Sequence, residues 1–187
     1  MVMVFPEPRR VVDVDALKAL THPLRVSLLN HLVSVGPRTA SECADEVGSS
    51  ASNCSWHLRQ LARFGFVERV DATDARERPW RATEVGFDFG GFDEDPAVRT
   101  QQDALAALQL NEDNRLVQRF LDRQHELPRE WLEASAFHGY ALNVTAEELG
   151  GLLGIVDDLL RPYLVPVRED VPEGAAPVHF GIRAFLR

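Results

Sequence analysis

Apolar residues recur at helical spacing from residue 14 to 20 and again from 23 to 35, where Leu24, Leu28, Leu29, Leu32 and Val33 form one stripe. Two amphipathic helices are expected there. Pro23 suits the first turn of the second, Thr21 or His22 is its cap, and Gly36-Pro37 ends it. Thr39-Ala-Ser-Glu42 has capping-box spacing, so a short third helix starts near Ala40 and stops at Gly48. Ser49 or Ser50 then caps a fourth helix running to about Phe64, where Gly65 supplies a left-handed exit. Beyond it the period shortens. Residues 66–70 (FVERV) alternate apolar and polar, 71–78 (DATDARER) are polar, and 79–83 (PWRAT) can be the returning strand of a β-hairpin.

Helix, helix, short tight turn, helix, hairpin is the order of a winged helix-turn-helix. Residues 84–96 (EVGFDFGGFDEDP) then mix glycine and proline with aromatics and read as a linker that packs. The second half holds a long helix from about 97 to 126, broken before Pro128, and a shorter one carrying Trp131 and Phe137. Residues 139–144 (GYALNV) and 177–186 (PVHFGIRAFL) read as two strands around a helix at 145–163. Thr145-x-x-Glu148 opens that helix as a capping box. Its Leu149, Leu152, Leu153, Val156, Leu159, Leu160 and Tyr163 fall on one stripe, which is ordinary core or else a subunit interface. The expected class is mainly α (α+β), with a winged helix-turn-helix at 1–90 and a helical dimerisation or effector-sensing region with a short β element at 91–187.

Charge sharpens this division. The 187 residues carry a net charge of −9, but Arg and Lys number 11 against 12 Asp and Glu up to Gly90, and 9 against 17 after it. Acidity opposes phosphate binding, and here it sits almost wholly in the second half. No apolar run is long enough for a membrane span, and the N-terminal MVMVFPEPRR lacks a signal-peptide pattern, so a cytoplasmic protein with no membrane partner is expected. Two cysteines, Cys43 and Cys54, make no disulfide framework and have no nearby Cys/His cluster. They read as small buried hydrophobes, and neither a metal nor a cofactor is expected.

On a wheel of about 100° per residue, Cys54, Leu58 and Leu61 share the inward face of the fourth helix, while Ser52, Trp56, Arg59 and Arg63 point away from it. Asn53 and Gln60 flank the outward face on one side and Ser55 on the other, and His57 lies closer to the core edge. Short polar side chains near a helix N-terminus suit base edges, and arginine pairs with guanine or phosphate. In the hairpin, Arg76, Arg78 and Arg81 could reach phosphates or an adjacent minor groove, diluted by Asp71, Asp74 and Glu77.

Three segments together, LKALTHPLRVSLLNHL, TASECADEVGSSASNCSWHLRQLARFGFVERV and ERPWRAT, resemble the winged helix-turn-helix of the ArsR superfamily of bacterial transcription regulators. The resemblance covers residues 15–83. It implies a homodimer that regulates promoters by binding double-stranded DNA through the helix at 50–64, with Ser52, Asn53, Ser55, Trp56, His57 and Arg59 as DNA contacts. With the helix start and the wing, the candidate set is Ser50, Ser52, Asn53, Ser55, Trp56, His57, Arg59, Arg63, Arg76, Arg78 and Arg81. Metal-sensing members carry a C-V-C pair on the preceding helix; the matching positions here are Thr39 and Ser41, so the paired-thiolate site is absent. His125 and His138 stand alone in the sequence and read as surface or core residues rather than ligands.

Trp131, Phe137, Tyr140, Phe180 and Phe185 are candidates to line a pocket for a small organic effector, the alternative being plain core. The competing function is a winged-helix protein-interaction module without DNA binding, which the net charge and the acidic wing favour. No P-loop, G-x-S-x-G, H-E-x-x-H or G-x-G-x-x-G pattern supports an enzyme.

Overall fold

A computed structural model describes residues 7–70, 78–90 and 93–187. Helices α1 (Val14–Leu20), α2 (Pro23–Val35), α3 (Ala40–Val47) and α4 (Ala51–Arg63) follow strand β1 (Arg9–Arg10). Their ends are written in side-chain chemistry. Asp13 accepts from the Ala16 amide at the start of α1. His22 rather than Thr21 caps α2, its Nδ1 accepting from Leu24 N at 3.2 Å. Thr39 and Glu42 close the expected capping box on α3. Leu17, Leu28, Leu32, Leu58, Leu61 and Phe66 are fully buried where these helices meet, each such side chain worth about 1.5–3 kcal/mol of transfer free energy.

The wing is antiparallel: β2 (Val67–Arg69) pairs with β3 (Trp80–Ala82) in the register Val67 to Ala82, Glu68 to Arg81 and Arg69 to Trp80. Arg38, just before α3, exchanges both backbone hydrogen bonds with Trp80 and adds a third rung of sheet. The segment after the wing does pack. Its β4 (Phe87–Asp88) runs parallel to β1, and Phe87 stands edge-on to Phe66 at 5.3 Å.

Helix α5 (Pro96–Arg123) is capped by Asp95 and lies across α1 and α2, burying Val98, Gln102 and Leu105. Polar contacts fix its register. Glu112, buried, accepts from Ser27 Oγ at 2.8 Å and takes both ends of Arg115; Asn30 donates to Gln109 at 2.8 Å; Arg119 pairs with Glu46 of α3.

The C-terminal part departs from expectation. A short 3-10 turn (Gln124–Glu126) ends the long helix, and α6 (Arg129–Ala134) carries Trp131 but stops before Phe137. Residues 139–144 and 177–186 form no strand, because neither meets a second backbone to pair with among the described residues. Helix α7 (Ala146–Leu160) has its capping box, with Thr145 accepting from the Glu148 amide, yet contributes no buried residue. Leu152, Leu153 and Leu159 of its stripe are exposed, as are Phe137, Tyr140, Phe180 and Phe185. These aromatics are therefore not core. Among the described residues, no element comes back over this region to bury them.

Candidate nucleic-acid interface

The tight turn between α3 and α4 rests on Gly48, which sits in the left-handed region at φ +65°, and on Ser50. Ser50 Oγ accepts from Asn53 N at 3.2 Å, and Asn53 Nδ2 donates to Ser49 Oγ at 3.0 Å. One first-turn amide is thus satisfied by the cap. At the far end, Arg9 donates to the Gly65 and Phe64 carbonyls at 2.9 and 3.3 Å, a cation placed where the helix dipole favours one. Both ends of α4 are held, so its outward face is presented on a fixed axis.

That face carries Ser52, Asn53, Trp56, Arg59 and Arg63, all exposed, with Ser55 and Gln60 half-buried at its borders. Arg59 donates to Ser55 Oγ at 3.2 Å and Arg63 to Gln60 at 3.4 Å. No carboxylate lies on α4. Trp56 is 50% exposed, its ring edge-on to His57 at 4.7 Å.

His57 lies deeper than the core edge, 5% exposed, with its ring 4.4 Å from that of His22. Burial, then the charges of His22 and Arg25, push its pKa down, and burial with Arg25 does the same at His22. Both imidazoles are thus harder to protonate than a free histidine.

The wing brings a residue to the site that sequence reasoning passed over. Arg69 lies over the Trp80 ring at 4.1 Å and donates to the Arg78 carbonyl. Burial first, then the neighbouring charges of Arg78 and Arg59, lower its pKa. Arg69 thus feels the charge of Arg59 on α4 as well as that of Arg78 on the wing. The signal was present as the last residue of the FVER strand, opposite an aromatic, but cross-strand register is needed to see that Arg69 faces Trp80. Arg81, by contrast, is engaged by Glu68 across the strand pair at 2.6 Å. Arg78 is exposed, and Arg76 lies outside the described residues.

Cys43 and Cys54 are fully buried where α3 meets α4. Burial, reinforced by Cys54 and Glu42, raises the Cys43 thiol to about 12, and burial raises Cys54 as well. Thr39 is occupied as the helix cap. His138 stands 3.3 Å from the Tyr140 hydroxyl, and His125 is exposed beside Glu126. Of the five aromatics considered for an effector pocket, Trp131 lines an open groove of about 330 Å³ with Glu130 and Glu173. Another open groove, of about 390 Å³, runs along α5 between Arg115, Arg119 and Arg123.

Residues 20–70, which span α2, α3, α4 and β2, match a family model described as a helix-turn-helix domain. With the β2–β3 hairpin attached, this part of the chain is a winged helix-turn-helix. The chain is similar to the solution structure of the homodimeric winged helix-turn-helix DNA-binding domain of Mb0332 from Mycobacterium bovis, a possible ArsR-family transcriptional regulator. Identity is 21%, over 67% of this chain and 87% of that one, with a TM-score of 0.34. It is also similar to a mutant of S. aureus MepR bound to an oligodeoxyribonucleotide, at 18% identity over 78% and 85% of the two chains, with a TM-score of 0.30. No curated protein matches the chain.

Proposed function

We propose that this winged helix-turn-helix protein is a sequence-specific, DNA-binding transcription regulator of ArsR type that acts as a homodimer. The observation that carries the reading is the exposed, carboxylate-free polar face of α4, with Ser52, Asn53, Trp56 and Arg59 turned outward, beside a wing that carries Arg69 and the exposed Arg78. Phosphates taken by these arginines would release condensed counterions from the duplex.

In this reading α4 enters the major groove. Ser52, Asn53 and Ser55 of its first turns meet base edges, and Asn53 is the residue with the donor–acceptor pair that adenine matches. Trp56 offers an apolar plate to a thymine methyl or a sugar, held upright by buried His57. Arg59 and Arg63 take guanine or backbone. Ser50 and the free amides around it take a phosphate at the helix N-terminus. Arg69 and Arg78, with Arg76 at the tip, hold the neighbouring backbone, while Arg81 is mostly spent on Glu68. Metal sensing through thiolates is not part of the reading, since both thiols are buried and held protonated.

Selection from a pool of random duplexes tests this. A two-fold symmetric motif is expected, with half-sites about one helical turn apart, and Asn53→Ala should relax preference at one position per half-site. A pool that shows no enrichment over input contradicts DNA reading and leaves the fold as a protein-interaction module.

A further inference from the structure

Behind the outward face of α4, ring contacts run from the start of α2 to the candidate DNA surface. His22, between α1 and α2, has its ring 4.4 Å from that of His57 on α4, and His57 stands edge-on to the exposed Trp56 at 4.7 Å. Both imidazoles are placed for the uncharged state. His22 Nδ1 accepts from Leu24 N at 3.2 Å and so caps α2. That nitrogen is also the one that takes up a proton, since a neutral ring with Nδ1 as acceptor already carries its hydrogen on Nε2. Protonation would set two N–H groups against each other and leave a first-turn amide of α2 unsatisfied. His57 is 5% exposed, and its Nδ1 is buried without a hydrogen-bond partner among the described residues. A charged ring donates from both nitrogens, and here one of them has nothing to donate to.

No acid offsets such a charge. Among the described residues, the charges that bear on His57 are those of His22 and Arg25, and on His22 that of Arg25. The carboxylates of the elements packed on α4, which are Asp15 on α1, Glu42, Asp45 and Glu46 on α3 and Glu68 on β2, act on neither ring. We infer that His57, backed by His22, is a positioning residue that holds Trp56 in its DNA-reading place only while both rings are uncharged, so that acid loosens the grip of α4 on DNA. The inference rests on the DNA-binding function proposed above and adds a proton to its control. A proton entering the pair uncaps α2 or drives His57 toward water, and Trp56 moves with it.

The sign of the effect sets it apart from simple charge. Exposed His125, His138 and His179 also gain protons in acid, which makes the chain less negative and favours a polyanion. An affinity that falls in acid therefore needs groups whose protonation the bound form refuses. Burial first, then neighbouring positive charge, holds both rings of the pair below the ordinary histidine value, so the loss sets in below about pH 6.5.

Two measurements on the full-length protein test this. In the first, NMR follows the ring resonances from pH 7.5 to 5.5 without DNA. The Trp56 indole signal should shift with the midpoint of the His57 ring, and His22→Asn, which keeps a helix cap but does not titrate, should raise that midpoint. A Trp56 signal indifferent to the His57 midpoint overturns the inference, whether or not the chain binds DNA. In the second, fluorescence anisotropy of a labelled duplex from the protein's own upstream region is compared at the two pH values and constant ionic strength. Affinity should fall about threefold at pH 5.5. His22→Asn with His57→Gln should hold it level or let it rise. His31→Asn, whose ring feels Glu46, Arg38, Arg119 and Glu42 instead, should keep the fall. An unsubstituted chain whose affinity holds or rises in acid overturns the inference, as does a fall that survives the double substitution, that disappears in His31→Asn, or that merely tracks loss of helical circular dichroism. Should His57→Gln fail to fold, His22→Asn alone decides, and a fall of undiminished size contradicts the pair. Absence of binding at pH 7.5 is a failure of the proposed function, and the first measurement then still decides whether the rings and Trp56 are coupled.

Discussion

Trp56 and His57 are neighbours in sequence with opposite environments, one half in solvent and the other nearly sealed beside His22. The pair shows what a helical wheel resolves and what it does not. The wheel separated Cys54, Leu58 and Leu61 from the outward residues, as the structure has them, because direction around a helix follows from spacing alone. It set His57 at the core's edge, because depth depends on what α2 lays over it. The partly buried His22 and His31 and the buried His57 have a consequence for stability. Burial, the first cause at His22, His31 and His57, lowers all three pKa values in the folded state. As pH falls through the ordinary histidine range near 6.5, the unfolded chain takes up protons that the folded chain refuses, so stability must fall with it. The urea midpoint should be lower at pH 5.5 than at pH 7.5, and His57→Asn should flatten that dependence. A midpoint that does not move contradicts the burial of these rings.

At the scale of elements, the helices of the first half were legible because their ends carry their own chemistry. The Thr39 and Thr145 capping boxes and the left-handed exits at Gly48 and Gly65 all stand where sequence puts them. What sequence could not show is pairing between distant segments. The β1–β4 pair involves two residues on each side, too short for any alternation to show. Segments 139–144 and 177–186 have ample alternation, yet alternation says only that one face wants cover and not which backbone lies beside it. Two substitutions test the element-level account. Gly48→Ala places a Cβ at φ +65° and should cost about 1–2 kcal/mol, read as a lower urea midpoint; no change would mean that the turn relaxes. Glu112→Ala removes the acceptor shared by Ser27 and Arg115 and should cost about 1–3 kcal/mol. A loss below about 0.5 kcal/mol, the size of surface effects, would mean that α5 is held on α2 by its apolar contacts alone.

Over the whole molecule, charge is sorted along the chain. The first 90 residues are close to neutral, and the acidic surplus lies beyond residue 90. A net charge of −9 is therefore no bar to binding a polyanion, provided that the basic face turns to it and the acidic half turns away. The fold of the first half and most of the candidate surface could be read from sequence. The place of Arg69 over Trp80 and on the Arg78 carbonyl could not, since it depends on the register of the hairpin.

Fluorescence anisotropy of a labelled duplex from the protein's own upstream region, titrated at several salt concentrations, tests the central claim most directly. Binding should weaken steeply with salt, and Arg59→Ala with Arg78→Ala should lower affinity and reduce the log–log slope by about 1 for each phosphate that is no longer neutralised. Affinity and slope unchanged by that double substitution would contradict an interface built on α4 and the wing.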